Sequence, residues 1–303
     1  MKVSIVIPNY NGRESLVENL PRVLTCGADE IIVIDDASTD GSVEEIERRY
    51  KDITVLRNKK NLGFSSTVDG GVEKASGDII VLLNTDVSPR QDFLEPLITH
   101  FSDLKVFAVG CLDESPEDNK IILRGRGVGV WQRGFLVHQR GEVDKTDTLW
   151  VSGGSGAFRK DLWQKLGGFD PLYNPFYWED IDLSYRALKA GYKTLFDPKS
   201  QVVHKHEEGI IKQNFSPFYI NIITYRNQFF FVWKNIRDGN LILSHFCWLP
   251  YHLIKALFSF DWAFWLGFIL AIIKLPQVIS SRWKIRKLFV KSDKEIFSEF
   301  SHA

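Results

Sequence analysis

Three short runs of aliphatic residues limit how this chain can fold: Val3-Ser4-Ile5-Val6-Ile7, Glu30-Ile31-Ile32-Val33-Ile34 and Ile79-Ile80-Val81-Leu82-Leu83. Near-continuous β-branched and leucine runs of this length mark strands buried on both faces, and each ends in polar or turn-forming residues. Helical patterns around residues 13–25, 41–50 and 64–75 lie between them. The order is therefore βαβαβ, and the expected architecture is an α/β fold with a mostly parallel central sheet covered on both faces. Ligands of such sheets sit beyond the carboxyl ends of the strands. The chain places Pro8-Asn9-Tyr10-Asn11, Asp35-Asp36-Ala37-Ser38 and Asn84-Thr85-Asp86-Val87 there, three polar clusters on one rim.

From about 105 to 160 the chain turns glycine-rich, as in Gly153-Gly154-Ser155-Gly156, and reads as antiparallel strands and loops. A helix is expected after Asp161 and another from Asp180 to Ala190, closed by Gly191. The composition shifts again beyond about 215. An aromatic stretch from 241 to 279, with Trp248, Trp262 and Trp265, precedes the basic run Arg282, Lys284, Arg286, Lys287. Its most apolar window, Phe258–Ile273, contains Asp261 and falls short of the roughly 20 residues that a spanning helix needs. An interfacial or re-entrant amphipathic segment is expected instead, with tryptophans at headgroup level and cations against anionic lipid, in preference to a helical pair buried on the catalytic domain or on a second copy, and a true span comes after both.

Lys and Arg number 38, as do Asp and Glu, so global charge gives no support to nucleic-acid binding. Cys26, Cys111 and Cys247 lack metal-site spacing, which suits a reducing cytosol. The first residues read as a strand and not as a signal peptide. The first strand also lacks the GxGxxG loop of a dinucleotide-binding enzyme.

The acidic residues carry the chemistry. Ser38 or Thr39 is enough to cap the helix that follows, which leaves a carboxylate of the Asp35-Asp36 pair over; Asp36 suits the imide N–H of a uracil or thymine ring. Asp86 emerges from a buried strand, where an Asx-turn is the structural alternative. One carboxylate there is sufficient for a hard divalent cation if a diphosphate supplies the remaining oxygens. Such a cation neutralises a departing nucleoside diphosphate. Glu179-Asp180-Ile181-Asp182 follows the aromatic wall Phe176-Tyr177-Trp178 at a helix start, where acids also serve as caps. Asp180 is the expected general base, Glu179 orients it or binds an acceptor hydroxyl, and Asp182 supports the helix. In His204-Lys205-His206, His204 could complete a metal site or meet the diphosphate, with His206 the weaker candidate.

Taken in order, VSIVIPNYNG (3–12), IDDASTDGS (34–42), NLGF (61–64), LNTDV (83–87), GGSGAFRK (153–160), GGFD (167–170), EDIDLSYR (179–186) and Val203-His204 resemble the large family 2 of inverting glycosyltransferases. The likeness is to the rhamnosyltransferase-like branch that builds bacterial surface polysaccharides, and it covers about residues 1–235. It implies a GT-A fold, with Asp36 reading the base, Asp86 holding Mg²⁺ or Mn²⁺ and Asp180 as catalytic base. The donor nucleotide would meet Pro8, Asn9, Tyr10, Asp36, Asn61, Gly63, Asn84 and Asp86. Donor sugar and acceptor would lie beside Gly154, Ser155, Gly156, Trp178 and Glu179, with His204 joining Asp86 at the metal. Asn84 stands where many members have Asp, so one carboxylate fewer faces the cation.

The expectation is a catalytic domain over 1–235 and a helical, membrane-interfacial region over 236–303. The chain would transfer a sugar from dTDP-rhamnose or a UDP-sugar to a saccharide or lipid-linked acceptor, at the inner face of the cell membrane, alone or as a homo-oligomer. Two alternatives stand beside it: a catalytically silent scaffold of the same fold, and a nucleotidyltransferase.

Overall fold

A computed structural model describes residues 1–117, 120–204 and 210–300. The first third alternates as expected: β1 (Val3–Asn9), α1 (Arg13–Val23), β2 (Glu30–Asp35), α2 (Ser42–Arg49), β3 (Thr54–Arg57), α3 (Phe64–Lys74) and β4 (Ile79–Leu83). β1 lies between β2 and β4, with β3 beyond β2, and all four run parallel. β3 has no counterpart in the three apolar runs: Thr-Val-Leu-Arg is short and, at the sheet edge, largely exposed, so burial never shaped its composition. α3 packs close to the sheet at Gly71, where a Cβ would lie 2.6 Å from Val6 Cγ1.

The sheet continues with β5 (Val87–Pro89), α4 (Leu94–Thr99), β6 (Val106–Glu117), β7 (Lys120–Arg124), β8 (Gly127–Gln132), β9 (Phe135–Arg140), β10 (Ser155–Arg159), α5 (Lys160–Leu166), α6 (Glu179–Lys189) and β11 (Lys193–His204). Its order is β3-β2-β1-β4-β10-β6-β11-β5, with β7 beside β6. β10 runs antiparallel to both β4 and β6, while β11 returns parallel to β6. β8 and β9 form a separate hairpin whose turn, Arg133-Gly134, has positive φ at both positions (47° and 81°), as two-residue hairpin turns require.

Helices pack on both faces of the sheet. On one face Leu16, Leu20, Ile46, Leu97 and Phe101 meet the strands; on the other Val68, Val72, Leu162, Trp163 and Leu183 do so. The remaining helices are α7 (Ile210–Asn214), α8 (Pro217–Asn235), α9 (Gly239–Phe258), α10 (Trp262–Ile273), α11 (Leu275–Ile285) and α12 (Asp293–Phe300). An aromatic core that includes Phe135, Trp178, Tyr185, Phe229, Phe231, Phe264 and Phe297 joins them to the hairpin and α6. Asp293 fixes α12: its buried carboxylate accepts from Tyr185 Oη (2.7 Å), Lys189 Nζ (2.6 Å) and the N–H groups of Arg237 and Asp238.

The apolar window at 258–273 is broken between two helices. α9 ends at Phe258, Phe260 turns the chain with φ 54°, and Asp261 accepts from Phe264 N–H (3.1 Å) to cap α10. Among the described residues α9 is long and apolar enough to cross a membrane, with 11% of its apolar window buried, and α10 with the helix after it passes the same test together as a pair bent by 64°.

Candidate active site

A cavity of about 350 Å³ opens at the carboxyl ends of β1, β2 and β4, bounded by residues 152–154, the turn into α6 and α7. Asp36 is buried on its floor, following β2. Its carboxylate accepts from Asn58 Nδ2 (2.9 Å) and from the N–H groups of Leu62 (2.8 Å) and Gly63 (2.9 Å). These bonds bring Asn61 and Gly63 to the rim, and Gly63 adopts φ 85°. Pro8, Asn9 and Tyr10 border the same cavity. The Asn9 amide is engaged within the loop, donating to Asp35 (2.8 Å) and Ser42 (2.8 Å). Asn84 borders it too: its N–H donates to Gly154 O (2.9 Å), and a Cβ on Gly154 would come within 2.6 Å of Asn84 Nδ2.

Asp86 faces His204, the last residue of β11, with 3.4 Å between Oδ1 and Nε2. On its other side His204 bonds through Nδ1 to Asp113 of β6 (2.9 Å). Burial opposes a charged imidazole, yet the bonds and charges of Asp113 and Asp86 outweigh it and push the His204 pKa up to about 9. The imidazolium is thus the cation between two carboxylates. Among the described residues no group of three or more His, Cys, Asp or Glu could hold a metal ion by itself. A divalent cation taking its other oxygens from a diphosphate would have to displace the Nε2 proton, which would leave a neutral imidazole with Nδ1–H held by Asp113 and Nε2 free to join Asp86 as a ligand.

Glu179 and Asp180 begin α6 on the opposite wall. Tyr177 and Trp178, just before them, both have left-handed backbones (φ 71° and 75°), strain of a kind that persists only where the surroundings enforce it. Asn227 of α8 supplies that enforcement: it is fully buried, and its Nδ2 donates to the carbonyls of Phe176 (2.9 Å), Tyr177 (2.9 Å) and Tyr173 (3.2 Å). The Asp180 carboxylate accepts from Ile181 N–H (2.7 Å) and faces Gly153 N–H (3.4 Å). Burial pushes its pKa up to about 6. Glu179 is 6% exposed with no partner for Oε2, and burial, then the neighbouring Asp180 charge, raises its carboxyl well above the usual range. Asp182 points away from the cavity. It is completely buried among Arg186 Nε (2.8 Å), Lys234 Nζ (2.8 Å), Asn235 Nδ2 (2.7 Å) and Tyr173 Oη (2.9 Å).

Three expected residues are not in the cavity. Trp178 is buried in the aromatic core, edge-on to His138 (5.0 Å) and tilted against Phe231 (5.4 Å), because the left-handed turn sends it inward and Tyr177 outward. Ser155 and Gly156 belong to β10, paired with Leu83 and Leu82 inside the sheet; Ser152, Gly153 and Gly154 line the cavity in their place. Lys205 and His206 lie outside the described residues. Sequence reasoning missed Asp113, Asn227 and Lys212. Asp113 sits in an apolar-looking strand and Asn227 in an aromatic helix, so no local pattern announced either. Lys212 on α7 is the one Lys or Arg among the described residues lining the cavity, which also holds Asp36, Asp86, Glu179 and Asp180.

A sequence model of the family described as "Glycosyl transferase family 2" matches residues 4–167. Over 216 residues the chain is 26% identical to the O-antigen chain rhamnosyltransferase of Salmonella typhimurium, an alignment covering 68% of this chain and 67% of that protein. It is 25% identical over 202 residues to N-acetylglucosaminyl-diphospho-decaprenol L-rhamnosyltransferase of Mycobacterium tuberculosis, covering 57% and 66%. The chain spans between about a third and two thirds of the length of the curated relatives it matches. Among solved structures, the mannosyltransferase PcManGT from Pyrobaculum calidifontis, in complex with GDP-Man and Mn²⁺, superposes with a TM-score of 0.57 at 19% identity, covering 90% of this chain and 86% of that one. At that identity the likeness is one of fold.

Proposed function

The chain belongs to glycosyl transferase family 2 and has the GT-A fold, and on that premise we propose that it is an inverting, metal-assisted transferase acting on a nucleoside diphosphate sugar. The donor is of the dTDP-rhamnose or UDP-sugar type and the acceptor a saccharide or lipid-linked saccharide of a cell-surface polysaccharide. The observation that carries the proposal is one cavity with two chemically distinct ends. Asp36 and the Asp86–His204 pair stand at the strand ends, and Asp180, with its raised pKa, stands at the start of α6.

In this reading the nucleoside lies over Asp36, which accepts the base N–H, between Tyr10 and the Asn61–Gly63 loop. Asp86, with His204 as a neutral imidazole, would hold Mg²⁺ or Mn²⁺, which would supply positive charge to the leaving diphosphate. Lys212 adds a second cation from α7. Asp180 takes the proton of an acceptor hydroxyl, and a pKa of about 6 leaves it ionised at neutral pH yet basic enough to accept that proton. The hydroxyl oxygen bonds to the anomeric carbon as the bond to the diphosphate oxygen breaks on the opposite face, which inverts configuration. Glu179, buried with an open oxygen, receives an acceptor hydroxyl.

Residues 1–235 form the catalytic domain in this proposal. The region from 236 onward seats the enzyme at the inner face of the membrane, a placement supported by the exposed Trp248, Phe258 and Trp262. A silent scaffold of the same fold would have no use for Glu179 buried without a partner, since that costs stability and gives nothing back. The deciding experiment incubates the full chain with a panel of nucleotide sugars and Mg²⁺ or Mn²⁺ and follows released nucleotide. Release of nucleoside diphosphate from one donor, abolished by chelator and by Asp86→Ala, supports transfer. Release of pyrophosphate when a nucleoside triphosphate and a sugar 1-phosphate replace the nucleotide sugar identifies a nucleotidyltransferase instead, and no release or binding with any donor, even with membrane extract as acceptor, favours the scaffold.

A further inference from the structure

A second cavity, about 340 Å³, lies far along the chain from the donor residues, between the tip of the β8–β9 hairpin, α8, α9 and the turn into α10. Its wall is mixed: Phe135 and Phe264 line it beside Gln132, Gln228 and Ser259, with Phe135 edge-on to His252 (5.2 Å) and to Phe229 (5.2 Å). Two cations line it as well, Arg133 at the hairpin turn and Lys255 on α9, and neither has a carboxylate partner among the described residues. The lining acid is Asp261, and both of its oxygens are engaged, one by Phe264 N–H (3.1 Å) and the other by Tyr225 Oη (2.9 Å). Both donors are neutral, so Asp261 offsets one of the two lining cations and the cavity keeps a formal charge of +1.

The first of these cations is held in place. The Arg133 guanidinium lies 5.7 Å from the ring centres of both Trp248 and Tyr251, and the Arg133 carbonyl accepts from His252 Nε2 (2.8 Å). The hairpin tip is fixed again one residue on, where Gly134 O accepts from His245 Nδ1 (2.8 Å); a Cβ on Gly134 would lie 2.8 Å from His245 Cα. A cation ordered before its ligand arrives loses little entropy on binding. The surface around it is apolar: Ile254, Phe258, Phe260 and Trp262 are 56%, 79%, 75% and 51% exposed. Two cationic residues lining a cavity beside exposed aromatic and aliphatic side chains match a phosphate carried on a hydrocarbon chain, with the phosphate at the cavity and the chain along α9 and α10.

We propose that this cavity is a binding site for a lipid-borne phosphate, with Arg133 and Lys255 as its ligands. The inference rests on the membrane-facing reading of α9–α11 and gives that face a specific chemical contact. The test is flotation of the full chain with vesicles of phosphatidylcholine alone or of phosphatidylcholine containing phosphatidic acid. It compares wild type with Arg133→Gln/Lys255→Gln and with Lys284→Gln/Lys287→Gln, which removes two exposed cations elsewhere on the same region. Thermal unfolding midpoints confirm that each variant is folded. A cation near an anionic lipid contributes about fivefold in partitioning, so the first pair should lower binding to the phosphatidic acid vesicles roughly 25-fold and leave phosphatidylcholine binding unchanged. Arg133→Lys should restore most of its share. Wild-type binding by the Arg133/Lys255 variant, or an equal loss in the Lys284/Lys287 variant, would overturn the site while leaving membrane seating intact. Absence of flotation with either vesicle would remove the membrane reading beneath it. Stabilisation by inorganic phosphate without any preference for phosphatidic acid would assign the cavity to a free phosphate and overturn the lipid source.

Discussion

Asp182→Asn isolates what holds α6 in place. Burial by itself would push the Asp182 carboxyl up, but Arg186 and then Lys234, helped by Asn235, reverse this and lower its pKa from an ordinary 3.8 to about 2. That difference corresponds to a favourable interaction with the charged form on the order of 2–3 kcal/mol. Breaking a buried ion pair from one side commonly costs about 3–5 kcal/mol, because the partners are left buried without a counter-charge. Here the partners keep something. Lys234 still has Asp170 at 2.7 Å, and Arg186 still donates to Gly168 O (2.6 Å) and to the Leu166 carbonyl. The expected loss is therefore about 2–4 kcal/mol at neutral pH. Urea unfolding checks it, as a lower midpoint with unchanged slope. The pH dependence has a definite sign: a depressed folded-state pKa gives stability that is complete above about pH 4 and lost as pH falls through about 2, so the gap between wild type and variant should close over that window. A loss below about 1 kcal/mol, or a gap that persists to pH 2, would refute the role assigned to the Arg186–Asp182–Lys234 cluster.

Lys212→Ala should weaken binding of a nucleoside diphosphate by roughly 5- to 20-fold and of the monophosphate far less, as a charge-assisted contact worth about 1–2 kcal/mol implies; isothermal titration of both ligands checks this. Turnover should fall as pH drops through about 6, where Asp180 becomes protonated, and a rate profile flat to pH 5 would count against Asp180 as the base. Gly154→Ala forces a Cβ to within 2.6 Å of Asn84 Nδ2, so we expect weakened donor binding with a thermal midpoint lowered by only a few degrees, measurable by titration and calorimetry.

The parts of this molecule that were legible in its sequence are those whose pattern is local. β1, β2 and β4 are buried on both faces, so their sequences are nearly all apolar, and the polar residues that follow them had to lie on one rim. The helix start at Glu179 was readable from three acids against a macrodipole, although its orientation was not. Trp178 and Tyr177 are adjacent aromatics, and which one faces the cavity is decided by two left-handed residues and by Asn227, fifty positions away. Ser155 and Gly156 were misplaced for a related reason, since a glycine-rich run does not reveal where a loop ends and a β-strand begins. Asp113 was invisible because it lies in β6, and its meaning comes from His204, ninety-one residues later. In the apolar stretch near the C-terminus, Asp261 reads as an interruption of one segment and is instead the cap that starts α10.

The most direct test of the transfer reaction is acceptor-dependent sugar transfer by wild type and Asp180→Asn, with donor affinity measured on the same samples. We expect kcat to fall by at least about 100-fold while donor Kd changes little, the signature of a lost general base. Retained turnover in Asp180→Asn, or a loss explained wholly by weaker donor binding, would contradict the assignment of Asp180 and with it the proposed single-step displacement.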